Sequence, residues 1–126
     1  MTKQWTVEQL DAFVSADDMH VSPFYADGKT YGTLTWVWSV VVDHDLYVRA
    51  YNGQNSRWYQ SAMTQQAGKI RLAGKEFETV FINAAGDSLL DAKISAAYQA
   101  KYQGSPYLPP MLEKDPVSAT VKILPR

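Results

Sequence analysis

The apolar and polar positions of this chain change period several times, and each change predicts the start of a new element. Near the beginning, Thr6 and Gln9 have the spacing of a capping box, while Trp5 and Leu10 occupy the two positions of a hydrophobic staple. These paired signals predict a first helix that runs to about Val14.

Residues 19–51 switch to a two-residue period, which predicts three strands joined by turns at residues 27–28 and 43–45. The middle strand has one wholly apolar face and one mixed face, as is typical of a strand at the centre of a sheet. In the third strand Arg49 falls on the face opposite Leu46 and Val48. The alternation therefore gives this arginine a defined direction, away from the aliphatic side chains.

A short helix is predicted next, from about Ser56 to Gln66, with Gly68 as the residue that ends it. A hairpin should follow, because two alternating runs flank the turn residues Gly74 and Lys75.

A longer helix is predicted from Asp87 to about Tyr102. Tyr98, Lys101 and Tyr102 share one of its faces, and these residues either pack the open end of a barrel or line the mouth of a ligand site. We favour packing, with the charge of Lys101 directed outward. The three prolines of residues 104–111 predict an irregular loop, because proline fixes φ and lacks an amide donor.

A last alternating run at residues 119–124 completes the order helix, three strands, helix, two strands, helix, one strand. This order predicts a mainly β (α+β) fold, an antiparallel sheet of about six strands with peripheral helices. Closure into a barrel is favoured because it removes exposed edges. With 126 residues, the chain is expected to form a single domain over residues 1–126.

Composition narrows the classes of function. A net charge of -1 without a basic tail gives no long-range attraction to nucleic acid or to an acidic membrane. The absence of cysteine excludes disulfides, thiol nucleophiles and thiolate metal sites. No stretch approaches the roughly 18 apolar residues that would span a bilayer, and the N-terminus lacks the apolar region of a signal peptide, so we expect a cytoplasmic protein.

Familiar catalytic motifs are missing. The two histidines, His20 and His44, are too far apart to suggest local metal-ligand spacing, and we expect no metal site. No nucleophile elbow, phosphate-binding loop or Rossmann fingerprint occurs, and we name no catalytic residue. The acidic pairs at residues 17–18 and 43–45 are better explained as turn residues than as a catalytic acid and base.

The junction "YNGQNSRWYQ" is where the sequence suggests a binding site. A strand ends at Asn52-Gly53 and a helix begins behind Ser56, with Arg57 in its first turn. Free amides at a helix start attract anions, and two arginines, Arg57 and Arg49, would add charge-assisted hydrogen bonds. Two interpretations stay open: the neighbouring aromatic residues form the wall of an anion site, or they bury one face of the helix in the core.

Residues 28–81 resemble the flavin- and deazaflavin-binding split β-barrels, both deazaflavin-dependent nitroreductases and proteins like pyridoxamine-phosphate oxidase. The chain is most similar to an uncharacterised domain-of-unknown-function family related to these barrels. That family carries the motifs LYVR, NG…WY, GRIRAGG, AAYRAKY and a terminal LVPR. The order and spacing of these motifs carry the resemblance. They correspond here to Leu46–Arg49, Asn52-Gly53 with Trp58-Tyr59, Gly68–Gly74, Ala96–Tyr102 and Leu124–Arg126.

The resemblance implies a six-stranded antiparallel split β-barrel with peripheral helices, often a homodimer. It also implies that the barrel holds FMN or a deazaflavin, a small planar anionic ligand. By position, the residues implied to face the phosphate tail are Lys29, Thr33, Arg49, Asn52, Ser56 and Arg57. Those implied to face the ring are Trp36, Trp58 and Tyr59. Two positions depart from the pattern: Gly32 stands where relatives more often have a basic residue, and Arg57 replaces the nitroreductase branch's proline.

Two functions from different classes follow. The first is an FMN- or deazaflavin-binding oxidoreductase of unknown substrate, in which the cofactor carries out the chemistry and no catalytic acid or base is needed. The second is a non-enzymatic module that binds another small ligand or a protein partner on the same scaffold, with the proline-rich segment as a cover or contact surface. Single-stranded nucleic acid is disfavoured by the overall acidity.

Overall fold

Seven strands form one antiparallel sheet with the order β2-β1-β5-β6-β7-β4-β3. The structure is a computed structural model that describes residues 4–17 and 19–126. The strands are β1 His20–Pro23, β2 Thr35–Trp36, β3 Ser39–Val42, β4 Asp45–Arg49, β5 Ala67–Leu72, β6 Lys75–Asn83 and β7 Thr120–Pro125. The helices are α1 Val7–Ser15, α2 Arg57–Gln65, α3 Ser88–Lys101, α4 Leu108–Met111 and α5 Lys114–Ser118, with a 3₁₀ turn at Gly53–Asn55. This confirms the predicted mainly β class with peripheral helices.

The two edges of the sheet come from one segment of chain. β2 pairs with β1, β3 pairs with β4, and only Val37 and Trp38 separate these two edge strands in sequence. The predicted middle strand is therefore a single strand broken at its centre, which raises the count from six to seven and lets the sheet curl into a half-barrel. Its predicted central position is wrong, because it supplies both edges.

The break is stabilised by side chains of α3. The Tyr98 hydroxyl donates to the Trp38 carbonyl at 2.7 Å, the Ser39 amide donates to the Tyr102 hydroxyl at 3.2 Å, and Lys101 Nζ donates to the Ser39 carbonyl at 2.7 Å. Backbone groups that leave a ladder need other partners, and these bonds supply them. The predicted packing of the α3 face is confirmed, but the Lys101 amine bonds main-chain carbonyls instead of carrying its charge outward.

Two hydrophobic cores lie on the two faces of β4. Leu46 and Val48 belong to the larger core, which the inner face of the sheet shares with α1 and α2. Tyr47 belongs to a second core under α3 and α4. Arg49 follows Tyr47 by two residues and lies on that same outer face, as its alternation predicted.

The first and third helices begin where the sequence predicted. At α1, the Gln9 amide donates to Thr6 Oγ1 at 3.1 Å and the Thr6 amide donates to Gln9 Oε1 at 2.8 Å, which confirms the capping box. At α3, the Asp87 carboxylate accepts hydrogen bonds from the amides of Leu89 and Leu90. Both helices therefore have satisfied N-termini.

The predicted ends of two elements need correction. α2 spans Arg57–Gln65 and is terminated by its C-cap residue Gln66, which adopts the left-handed conformation with φ 59°, and not by Gly68. Gly68 lies in β5, where a Cβ atom would come within 2.5 Å of the Ser22 carbonyl oxygen, so its role is close strand packing. The β5–β6 turn uses Ala73 and Gly74, with φ 52° and 76°, in place of the predicted Gly74-Lys75.

The proline-rich segment is more regular than predicted. It forms the one-turn helix α4, and Pro109 and Pro110 lie in its first turn, where a missing amide costs nothing. A second short helix, α5, then leads into β7. Among the described residues, no helix has the length and apolar character needed to cross a membrane.

Candidate functional site

A pocket of about 480 Å³ lies where β4 ends and α2 begins. The broken edge strand forms one wall and α4 another. Its lining consists of Thr35, Trp36, Val37, Trp38, Arg49, Tyr51, Asn52, Ser56, Arg57, Trp58, Tyr107 and Met111. The charged residues in this lining are two arginines, and no aspartate or glutamate is among them. In a chain of net charge -1, this is a local concentration of positive charge.

Six of the nine residues predicted for the site line this one pocket: Trp36, Arg49, Asn52, Ser56, Arg57 and Trp58. They come from three elements that are separate in sequence, and the fold brings them together. Lys29, Thr33 and Tyr59 are not in the lining.

Lys29 and Thr33 lie on the long hairpin between β1 and β2. Gly28, next to Lys29, approaches the side chain of Gln65 at the C-terminal end of α2. A helix of 9 residues is about 13 Å long, so Lys29 lies at the opposite end of α2 from the pocket. Thr33 Oγ1 lies 3.2 Å from the hydroxyl of exposed Tyr25.

Gly32 has a steric reason for lacking a side chain. Its amide donates to the Pro23 carbonyl at 2.9 Å, and a Cβ atom would lie 2.7 Å from that oxygen. A basic residue could not occupy this position without moving the hairpin. Close packing of the hairpin on β1 therefore accounts for the glycine at this position.

Tyr59 faces a different part of the molecule from Trp58. Successive helical residues point about 100° apart, and Tyr59 lines a second cavity between α2 and β6 that also contacts Gln60 and Met63. Both aromatic rings are also part of the larger core. Trp58 thus packs in the core and also lines the pocket, whereas Tyr59 packs in the core and lies outside the pocket lining.

The N-terminus of α2 presents unused amides to the pocket wall. Ser56 is the N-cap residue, yet its side chain makes no capping hydrogen bond. The first intrahelical bond runs from the Gln60 amide to the Ser56 carbonyl at 3.1 Å, so the amides of residues 57–59 have no intrahelical acceptor. Together with the helix dipole, these amides favour a negative charge at Ser56 and Arg57.

Arg49 is buried without a direct ion pair. Its side chain is 1% exposed and donates to Ser95 Oγ at 3.0 Å, to the Asp91 carbonyl at 3.0 Å and to the Met111 carbonyl at 3.2 Å. Within residues 4–17 and 19–126, no carboxylate lies within 4.0 Å of its nitrogens, and Nε has no partner. Burial lowers the pKa of Arg49, while Tyr98 and Asp91 oppose that shift. A buried cation without a direct ion pair is costly, which makes an anion in the pocket a favourable partner.

Tyr98 holds the main chain of Arg49 away from the broken strand. Its hydroxyl accepts from the Arg49 amide at 3.0 Å and donates to the Trp38 carbonyl at 2.7 Å, so it stands where β3 and β4 would otherwise continue to pair. The guanidinium carbon lies 5.5 Å from the centre of the Tyr98 ring. Burial raises the pKa of Tyr98, which keeps the hydroxyl neutral and able to donate.

The mouth of the pocket is aromatic. Trp36, Tyr51 and Tyr107 all line it, and they are 57%, 47% and 61% exposed. Sequence reasoning identified Trp36 but missed both tyrosines. For Tyr51 a signal was present, since it lies two residues after Arg49 on the same face of the chain. No local pattern could place Tyr107, which reaches the pocket from the proline-rich segment.

Residues 9–123 match the model of a family described as an uncharacterized protein conserved in bacteria, DUF2255. The chain belongs to this family. This match confirms that the chain belongs to an uncharacterised family of unknown function, as its motifs predicted. The predicted relation of that family to the flavin-binding split barrels stays a prediction. No curated protein matches this DUF2255 chain significantly.

The DUF2255 pocket can bind by charge, by amide donors and by aromatic surface. In the part of the chain that the structure describes, no three histidine or acidic side chains are grouped so that they could hold a metal ion. The polar groups of the lining are donors suited to an anion: two guanidinium groups, the Asn52 side chain, the Ser56 hydroxyl and the amides that start α2.

Proposed function

We propose that this DUF2255 protein binds FMN or a deazaflavin in the pocket between β4 and α2, and that it is an oxidoreductase dependent on that cofactor. The observation that carries the proposal is a pocket at a helix N-terminus whose charged lining consists of two arginines, one of them buried without a direct ion pair. The resemblance of residues 28–81 to the flavin-binding split barrels supports the choice of cofactor. A homodimer belongs to the same proposal and rests on that resemblance alone.

The lining residues suit the parts of such a cofactor. Arg57, Ser56 and the amides that follow it would hold the phosphate, and each charge-assisted hydrogen bond shielded from water contributes about 1.5–3 kcal/mol. Trp36 and Trp58 offer flat apolar surface to a ring. The volume of about 480 Å³ falls within the usual range of roughly 300–1,000 Å³ for small-molecule pockets.

A bound flavin or deazaflavin would supply hydride transfer, and the side chains of this chain would bind, orient and shield it. Arg49 would hold negative charge at the inner end of the pocket, since it is the buried cation of the lining. The lining contains no histidine, aspartate or glutamate, so the proposed reaction uses no imidazole or carboxyl group of these pocket side chains as a general acid or base.

The test compares two arginine variants of equal charge. FMN and a deazaflavin are titrated separately into the wild-type protein, Arg57→Gln and Arg71→Gln, with tryptophan fluorescence as the signal, because Trp36, Trp38 and Trp58 line the pocket. Arg71 is exposed on β5, bonds Glu76 and lies outside the pocket. We expect Arg57→Gln to weaken binding about 10- to 100-fold and Arg71→Gln to leave it unchanged. Failure of both cofactors to quench the wild type at tens of micromolar overturns the proposal.

A second candidate, a non-enzymatic module, is favoured by one observation: the mouth exposes three large aromatic side chains, as binding surfaces for planar ligands or partner segments often do. Such a module would use the same arginines for a different anion. The two candidates separate on redox activity. An oxidoreductase, once loaded with its cofactor, exchanges electrons with a nicotinamide donor or an artificial acceptor, whereas a binding module does not.

A further inference from the structure

Exposed aromatic side chains are concentrated at one place in this protein. Four large aromatic residues are exposed in the described part of the chain: Tyr25, Trp36, Tyr51 and Tyr107. Three of the four line the same pocket, and Tyr25 is the exception. Exposed apolar surface is unfavourable in water, and its concentration around a concave site is a mark of ligand binding.

These three residues are also held in place. The Trp36 indole Nε1 donates to the Asp17 carbonyl at 3.0 Å, which fixes a ring that is more than half exposed. The rings of Tyr51 and Tyr107 meet edge to face, with centroids 6.3 Å apart and planes at 74°. Rigid aromatic surfaces lose little conformational freedom when they bind.

The segment that carries Tyr107 is tied to the inner end of the pocket. The Tyr107 amide donates to Ser105 Oγ at 3.2 Å, and at the end of α4 the Met111 carbonyl accepts from Arg49 at 3.2 Å. Arg49 therefore contacts the segment that forms the mouth. A ligand group at the Arg49 guanidinium and another at Tyr107 would therefore contact residues at the two ends of α4.

We propose that Trp36, Tyr51 and Tyr107 form an aromatic clamp that holds the planar ring of the ligand at the mouth, while its anionic group lies inside at Arg57 and the start of α2. This inference rests on the proposed function and deepens it, because it makes the clamp the determinant of specificity for planar aromatic rings. Charge complementarity supports an anionic occupant, since the lining has two arginines and no carboxylate.

The experiment uses two probes that share a ribityl phosphate and differ by the ring: FMN and ribitol 5-phosphate. Their affinities are measured by calorimetry for the wild-type protein, Trp36→Leu, Tyr107→Leu and the control Tyr25→Leu, which changes an exposed tyrosine outside the pocket. We expect Trp36→Leu and Tyr107→Leu to weaken FMN about 3- to 10-fold each, the range typical of aromatic pairs, and to leave ribitol 5-phosphate within about twofold. Tyr25→Leu should change neither affinity.

Each other outcome overturns the clamp in a distinguishable way. If both clamp variants bind FMN as the wild type does, the clamp is wrong while the proposed cofactor stands. An equal loss of affinity for FMN and for ribitol 5-phosphate would show a general distortion of the pocket, and the clamp would be wrong. If the wild type binds ribitol 5-phosphate but not FMN, the mouth does not accept a ring. If it binds neither, and a deazaflavin also fails to bind, the proposed function and the clamp fail together.

Discussion

The main-chain amide of Arg49 donates to the hydroxyl of Tyr98 at 3.0 Å, and the guanidinium carbon of the same arginine lies 5.5 Å from the centre of the Tyr98 ring. One tyrosine thus positions both the backbone and the charge of the buried arginine. Because the hydroxyl also donates to the Trp38 carbonyl, it keeps the broken strand apart from β4 at the wall of the pocket. The shape of the site therefore depends on a side chain that does not line it.

Tyr98→Phe should lower the free energy of unfolding by about 2–3 kcal/mol. The change leaves the Trp38 carbonyl and the Arg49 amide without their partner, and each lost buried hydrogen bond costs about 1–1.5 kcal/mol. Urea unfolding at pH 7 measures the effect. Tyr102→Phe is the matched control, because its hydroxyl makes longer bonds of 3.2 and 3.3 Å to Ser39 and should cost less. Equal losses of unfolding free energy for Tyr98→Phe and Tyr102→Phe would contradict the view that the Tyr98 hydroxyl makes the stronger hydrogen bonds.

Arg49→Met should abolish the stabilisation by FMN while it changes the stability of the ligand-free protein little. Replacing a buried ion by an apolar side chain of similar length removes its desolvation cost. We therefore expect the free energy of unfolding of the ligand-free protein to change by no more than about 2 kcal/mol. The increase in melting temperature that FMN gives the wild type should disappear. If Arg49 serves only to join β4 to α3 and α4, the result is reversed: a loss of about 4 kcal/mol or more and an unchanged response to FMN. Thermal unfolding with and without FMN distinguishes the two roles.

Two glycine substitutions should have very different costs. In Gly68→Ala the new Cβ would meet backbone atoms, at 2.5 Å from the Ser22 carbonyl oxygen and 2.6 Å from Pro23 Cα, and backbone cannot rotate away. We expect a loss of about 3 kcal/mol or more. Gly74→Ala meets nothing within 4 Å and carries only the strain of φ +76°, about 1 kcal/mol. Chemical denaturation of both variants checks this order, and a larger cost at Gly74 would refute it.

Stability should fall in alkali, partly through Tyr102. Burial raises its pKa to about 12, whereas a tyrosine in the unfolded chain ionises near pH 10. Between these values the unfolded state releases a proton that the folded state retains, so the free energy of unfolding decreases as the pH rises from 10 toward 12. Between pH 8 and pH 11 the wild type should lose about 1 kcal/mol more than Tyr102→Phe. If the unfolding free energies of the wild type and Tyr102→Phe fall in parallel with pH, the Tyr102 hydroxyl is not a buried neutral group.

The sequence predicted the features that depend on neighbours in the chain. The capping box at Thr6, the N-cap at Asp87 and the alternation that directs Arg49 away from Leu46 all involve residues a few positions apart. Their partners are close in sequence, so periodicity and capping rules suffice. The same local rules placed Ser56 and Arg57 at the start of a helix.

Features that depend on distant contacts could not be predicted. The broken strand needs hydroxyl and amine partners from α3, and Trp38 and Tyr98 are 60 residues apart. Gly68 looks like a helix end in the sequence, but its lack of a side chain is required by the approach of β1. Tyr107 lines the pocket from the N-cap of α4, and its ring contacts that of Tyr51, which is distant in sequence. In each case the deciding partner comes from elsewhere in the fold.

A crystal structure of the protein grown with FMN is the most direct measurement of the anion site. We expect a phosphate oxygen within about 3 Å of the Arg57 or Trp58 amide nitrogen, with the Arg57 guanidinium on the same phosphate and the ring between Trp36 and Tyr107. A structure in which FMN occupies another surface, or in which both guanidinium groups turn away from the bound phosphate, would contradict it.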